Sequence, residues 1–473
     1  GIEVLVSLAA EREADLAVLA TAGLRHLTLD PDLKRPVVEK GALFPVIRNV
    51  MREGPTEDMQ CQAAGMIANL SENLENQISL VEASTIPALV KLARVENDEV
   101  EQDCARALAN VASNEENHTT VYRQGGLHTL VELTNSSEDV CQRYASMGLR
   151  FLAANPEVRV YIVKENLVAP FLALAQSPLT DYRRTAATAL ASFTLSEDIK
   201  GPLVRQGGLR QILASCMDED LQVKRDCTFA LANLADSLDL HGDMIREDSI
   251  TTLAKVGAHS DARIQRDAAR AYASLSSSEH VKGALVSTEQ SLPTLFKLVR
   301  SLDLTTQRYA SLTLANISSS PYKVQIVEGG AVKPLMFLAR FPDLDVRKYA
   351  ALALGGLALG NHGENKVRIV EEGSLRPLLD MIRVPEVEMQ RSACLAVNSI
   401  ALGPQDMTKF GVMHEGGLLP LLALVDGTDS ESSCMAIYAL GTLTEHKDVK
   451  SKIVEIGAIA SVVERGDGGD IEA

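Results

Sequence analysis

A short phrase recurs along the chain at a nearly constant interval, and this period limits the fold more than any other feature. The segments MIANLSEN, ALANVASN, ALASFTLS, ALANLADS, AYASLSSS, TLANISSS, ALGGLALG and ALGTLTEH share one pattern. With the Asn position of L-x-N-L as register mark, the marks fall at His26, Asn69, Asn110, Phe151, Ser192, Asn233, Ser274, Asn316, Gly356, Ser399 and Thr442, 40 to 43 residues apart. A chain of 473 residues exceeds what a single compact core holds, about 250–300 residues. A period near 40 removes the difficulty, because each unit is too small to bury its own core and is stabilised by stacking on its neighbours.

Each unit repeats one internal order: a short apolar stretch, a Gly-containing break, an apolar helix, an acidic turn and a longer Ala-rich helix. The breaks read KGALFP, QGGLHT, QGGLRQ, GGAVKP, EGSLRP, EGGLLP and IGAIAS. Gly supplies a sharp bend there, and Pro45, Pro87, Pro170, Pro293, Pro334, Pro377 and Pro420 fall in the first turn of the next helix, where a missing N–H costs no helical hydrogen bond. Three helices per unit are therefore predicted. The expected organisation is one array over 1–473, with repeats at 1–29 (partial), 30–72, 73–113, 114–154, 155–195, 196–236, 237–277, 278–319, 320–359, 360–402, 403–445 and 446–473 (partial). Apolar residues at both ends (Ile2, Val4, Leu5, Ile459, Val462, Val463) lead to the expectation of a segment of a longer array, or of ends that pair with something.

The third helix can be oriented from sequence, since each residue advances about 100°. Slots two before the mark (Leu108, Leu149, Leu190, Leu231, Leu314, Leu354), one after it (Leu152, Leu234, Leu275, Leu357) and six before it (Ala or Cys, from Ala63 and Cys104 to Ala393 and Ala436) share one arc. That arc is the predicted buried stripe. The marks, and the slots four and eight before them, are predicted to face away from the core.

Composition narrows the function. Hydrophobic residues are 46% but aromatics only 4%, with no Trp, which suits helices packed through small side chains. A net charge of −17 argues against general nucleic-acid binding, which needs a basic surface. The seven cysteines are scattered, with no CxxC, and read as reduced core or near-surface thiols. No apolar run reaches membrane-spanning length, and the N-terminus lacks a signal-peptide layout, so a cytoplasmic location is expected. Asn-x-Ser/Thr matches such as Asn69 and Asn316 fall in predicted helices and read as chance.

These repeats resemble the armadillo family, nearer to vacuolar armadillo adaptors and β-catenin-like repeats than to nuclear-import receptors. The resemblance implies an all-α, right-handed superhelical solenoid of about ten to eleven three-helix armadillo repeats, both terminal repeats incomplete. It also implies that third helices line a groove in which Asn at the mark hydrogen-bonds the backbone of an extended peptide. Asn69, Asn110, Asn233 and Asn316 would take that role; the alternative is that Asn merely suits an exposed helical slot. Import receptors add a Trp four residues earlier. Here that slot holds Gly65, Arg106, Met147, Thr188, Phe229, Arg270, Leu312, Leu352, Leu395 and Tyr438, which argues against nuclear import.

Two further columns stand out. Eight before the mark lie Arg143, Arg184, Arg225, Arg266, Arg308, Lys348 and Arg391 in succession. Such a stripe would attract an acidic extended segment, or it would pair with acids of the preceding turns in SSEDV, DEDLQ, HSDAR, FPDLD and VPEVE; the two are compatible. Beside it, Met147, Phe229, Leu312, Leu352, Leu395 and Tyr438 form an apolar strip, read either as an interaction surface or as residues partly covered by neighbouring repeats.

No phosphate loop, GxGxxG after a strand, HExxH or GxSxG is present, and the stretch around Gly355 to Asn365 has the wrong spacing for a phosphate loop. The histidines do not cluster at metal-ligand spacing, although His26 sits at a mark. No cofactor, metal or enzymatic activity is expected. The leading expectation is a non-catalytic scaffold or adaptor that binds an extended, acidic or amphipathic protein segment in the groove, with no nucleic acid and no membrane insertion. The alternative is a structural component of a large cytoskeletal or ciliary assembly that uses its outer surface.

Overall fold

The computed structural model describes residues 1–360, 362–403, 406–460 and 463. Val462 of the apolar C-terminal end, Asn361 of the glycine-rich stretch and residues 464–473 of the last partial repeat lie outside them. The chain divides into two compact units, Gly1–Ala230 and Leu231–Ala473. Each is an array of helical repeats, and no strand occurs among the described residues.

In the first unit the third helices are Ala14–Leu27, Glu57–Ser71, Asp98–Ala112, Asp139–Ala154 and Thr180–Phe193. In the second they are Ala262–Ser276, Leu304–Ser318, Leu344–Ala358, Val387–Ala401 and Ser430–Leu443, while Leu221–Ala235 carries the division. Before each comes a short first helix, such as Glu279–Ser287, and a second helix, such as Ser291–Leu298. The break between these two is a single left-handed residue. Gly41, Gly125, Gly207, Gly330, Gly373, Gly416 and Gly457 hold φ of +76° to +92° there. Ser84, Asn166, Asp248 and Gln290 occupy the same place with φ between +55° and +65°, so the bend is set by repeat geometry even where glycine is absent.

Although those after Glu13, Glu138 and Leu179 do not, many of the third helices begin where a side chain takes up free N–H groups of the first turn. Thr56, Asn97, Asp261, Asp303, Asp343, Glu386 and Asp429 all do so. Successive third helices within each unit pack side by side. The Ala/Cys slot six before the mark is fully buried throughout, as are Leu108, Leu149, Leu190, Leu314 and Leu354, each contributing about 1.5–3 kcal/mol of burial free energy. Small side chains at that slot allow the close approach, and Gly355 extends it: a Cβ there would stand 3.1 Å from the Ala396 Cα.

One sequence expectation needs correction. The marks were expected to face away from the core, yet Asn69 and Asn233 are 6% and 7% exposed and Ser399 is 3% exposed. For the two asparagines the reason is a neighbour: Arg106 and Arg270, four before the next marks, lie over them and donate to Asn69 Oδ1 at 3.1 Å and Asn233 Oδ1 at 2.8 Å.

Candidate functional site on the third helices

The basic column begins as a consequence of helix capping. An Asp at the N-cap accepts from its own helix's first turn, and its carboxylate then faces the third helix of the preceding repeat. Arg184 donates Nη2 to Asp220 Oδ2 at 2.7 Å, Arg266 reaches Asp303 through Nη2 at 2.8 Å and Nε at 3.0 Å, and Arg308 reaches Asp343 through Nη2 at 2.6 Å. Arg391 reaches Asp429 at 2.6 Å and Glu431 at 2.5 Å. The guanidinium fork matches a carboxylate with two parallel bonds, so each pair pins one repeat to the next. These arginines hold Asp220 and Asp303 down at about 2, and keep Asp343 and Asp429 below the usual carboxylate range.

The column breaks twice. The N-cap of the next third helix after Arg143 is Leu179, which carries no acid and is 49% exposed, and Arg143 makes no ion pair among the described residues. Lys348 stands 3.9 Å from Asp345 of its own helix, while the following N-cap, Glu386, is turned to its own backbone at Glu388 and Met389. Arg225 is half-buried on Leu221–Ala235.

The asparagines form a ladder between repeats. Asn69 Nδ2 donates to Thr28 Oγ1 at 3.2 Å, Asn110 Nδ2 to Ser71 Oγ at 3.0 Å, and Asn316 Nδ2 to Ser276 Oγ at 3.0 Å. In each case the acceptor sits two residues past the previous mark. Where that place is Ala (Ala112, Ala153, Ala235, Ala358, Ala401), the next mark is Phe151, Ser192, Ser274, Ser399 or Thr442. Gly356 follows Ser318 without an Asn for a steric reason, since a Cβ at 356 would lie 3.0 Å from the Ser318 carbonyl carbon. His26, at the first mark, is exposed.

The apolar strip divides by position. In the first unit Met147 and Phe229 are half-buried. In the second, Leu312 is half-buried, Leu352 and Leu395 are each 37% exposed, and Tyr438 is 70% exposed. The strip therefore opens to solvent along Leu344–Ala358, Val387–Ala401 and Ser430–Leu443. The intervening slots are polar: Thr188 donates to Asp226 at 3.0 Å, and Arg106 and Arg270 pair with Glu72 and Asp236, both at 2.6 Å.

A second column escaped the sequence reading. Three residues before the central buried apolar residue of each first helix stand Lys34, Gln77, His118, Arg159, Lys200, His241, Lys282, Lys323, Lys366, Lys409 and Lys450. Gln77, His118 and His241 meet the carbonyls of Ser71, Ala112 and Ala235, each the last residue of a third helix. Lys34 and Lys409 instead pair with Glu72 and Glu445. A donor or cation here satisfies the negative end of the third helix. The signal was legible as a periodic basic slot, but the first helices are too short and too varied for their register to be seen before the third helices are aligned.

No family model matches the chain, and no curated protein matches it. Among solved structures, an engineered protein from a structural genomics consortium is similar at a TM-score of 0.67 and 28% identity, over 85% of this chain and 98% of that one. A second engineered protein from the same consortium is 28% identical over 50% of this chain and 97% of its own, with a TM-score of 0.47. A structure described as computationally designed armadillo repeat proteins for modular peptide recognition is 23% identical, over 50% of this chain and 99% of that one, also at 0.47. Each unit is an all-helical array of three-helix repeats, similar in fold to the first of these engineered proteins.

Proposed function

We propose that the chain is a non-catalytic scaffold, a cytoplasmic adaptor whose third-helix face holds an extended amphipathic segment of a partner protein. The observation that carries this reading is the row Leu352, Leu395 and Tyr438, exposed at the same slot of three successive third helices. Apolar side chains left in water in register are what a docking segment would cover. Asn110 and Asn316, half-exposed, each offer Oδ1 and a second amide hydrogen to a passing backbone, although one N–H already holds a hydroxyl. Arg143, Met147 and Phe229 would extend the contact in the first unit, and Leu312 in the second.

An acidic segment is favoured less than the count of basic residues implies. Arg184, Arg266, Arg308 and Arg391 already hold N-cap carboxylates, so Arg143 and Lys348 are the cations of the column best placed for a partner. The experiment is site-specific photocrosslinking with benzoylphenylalanine at 395 or 438, and at the exposed Lys164 on a first helix. Partner adducts are expected from 395 and 438. Adducts from 164 alone would overturn the reading in favour of an outer-surface structural role.

A further inference from the structure

Apart from the third-helix face, the second unit carries a cleft of about 800 Å³ where the C-terminal end of Ser291–Leu298 and its following loop meet the first turn of Val332–Ala339. Pro293 and Phe296 form an apolar floor, and Leu302 projects beside them fully exposed. Lys297, Arg300 and Lys333 line the same cleft. Arg300 makes no ion pair among the described residues, and Lys333 is 3.9 Å from Glu372. Lys297 donates to the Ala258 carbonyl, which leaves its charge uncancelled. The carboxylate in the lining, Asp303, is held by Arg266 and by its own helix. On a chain of net charge −17, three cations gathered around exposed apolar carbon make a local reversal of sign.

We propose that this cleft is a second docking site, separate from the third-helix face, for a short acidic protein segment that places one large aliphatic or aromatic side chain on Phe296 and Leu302. Charge complementarity selects the occupant: carboxylates flanking the anchor would meet Arg300 and Lys333, and the surrounding negative field would repel acidic segments everywhere else. Its volume falls within the ordinary range of built ligand clefts, about 300–1,000 Å³.

The test is selection of a random peptide phage library on the full chain, followed by fluorescence anisotropy of the enriched peptides on three variants. Peptides rich in Asp and Glu with one Leu, Ile or Phe are expected to lose about tenfold or more in affinity on the Arg300→Glu/Lys333→Glu variant and several-fold on Leu302→Ser, and to weaken with salt. The Leu395→Ala/Tyr438→Ala variant should bind them unchanged. All the substituted side chains are exposed, Leu395 at 37%, and circular dichroism is to check that each variant is folded. Acidic peptides that bind the charge-reversed chain within twofold, or enrichment only of peptides without acidic residues, would overturn the proposal. So would a labelled oligonucleotide that binds through Arg300 and Lys333 when no acidic peptide is selected.

Discussion

Arg266 and Asp303 meet through two hydrogen bonds, Nη2 to Oδ1 at 2.8 Å and Nε to Oδ2 at 3.0 Å, while Oδ2 also accepts from the Thr306 N–H at 2.9 Å and its hydroxyl at 2.7 Å. The aspartate caps its own helix and joins two repeats; the arginine only joins them. Asp303→Ala is therefore expected to cost about 1 kcal/mol, within the 0.5–2 kcal/mol spread of N-cap losses. Arg266→Ala should cost less, and its loss should shrink with added salt because the side chain is 48% exposed. Urea unfolding at low and high ionic strength distinguishes the two, and equal, salt-independent losses would contradict the assignment.

Acid should weaken the array through the same pairs. Asp220 and Asp303 titrate at about 2 in the folded protein because of Arg184 and Arg266, against an ordinary aspartate value of about 3.9 in the unfolded chain. A lowered folded-state value means that the contribution is complete above the unfolded value and disappears as pH falls from about 4 to about 2. The urea midpoint should drop across that window, and the drop should be shallower in Asp303→Asn.

Left-handed residues at the first bend offer a stability scale. Gln290 and Ser84 hold φ of +65° and +64° without being glycine. Gln290→Gly and Ser84→Gly should each stabilise by up to about 1 kcal/mol, since the left-handed cost of about 1–2 kcal/mol exceeds glycine's added unfolded-state entropy. Asn166→Gly should change little, because asparagine tolerates this region. Thermal melting gives the order, and a gain at Asn166 larger than at Gln290 would refute it.

Thiol labelling reports on the core. Cys104, Cys141, Cys216, Cys227 and Cys394 are fully buried, and burial raises Cys141 to about 11 and Cys216 and Cys394 to about 12. At pH 8 only Cys61 and Cys434, which are half-exposed, should react promptly with Ellman's reagent. The other five should react at the rate of unfolding. Fast labelling at Cys394 would contradict the packing of Val387–Ala401.

The asparagine ladder shows how much of the candidate site could be read in advance. The slot of Asn110 was legible from one repeat, because helical periodicity fixes its direction. Its partner was not, because Ser71 lies 39 residues earlier and belongs to a different repeat's third helix. The same limit applies to Arg308, whose position eight before the mark was plain, while its engagement with the N-cap Asp343 appears only when two repeats are stacked. The cleft at Phe296, Lys297 and Arg300 had no sequence signature, since it draws on two second helices, the start of the third helix Ala262–Ser276 and the loops beside them.

By itself the sequence determined the period, the three-helix unit, the bend between first and second helices, and the stripe of Ala, Cys and Leu that is buried. Each of these follows from local backbone preference and from the angular spacing of apolar residues within one repeat. Tertiary structure alone decided which outward-facing polar groups remain available. Inter-repeat stacking brings Arg106 over Asn69 and Arg266 onto Asp303, leaves Arg143 without an acid at Leu179, and keeps Tyr438 in water. Hydrogen bonds and ion pairs between residues some 35 to 41 positions apart depend on the rise and rotation from one repeat to the next, which no single repeat encodes.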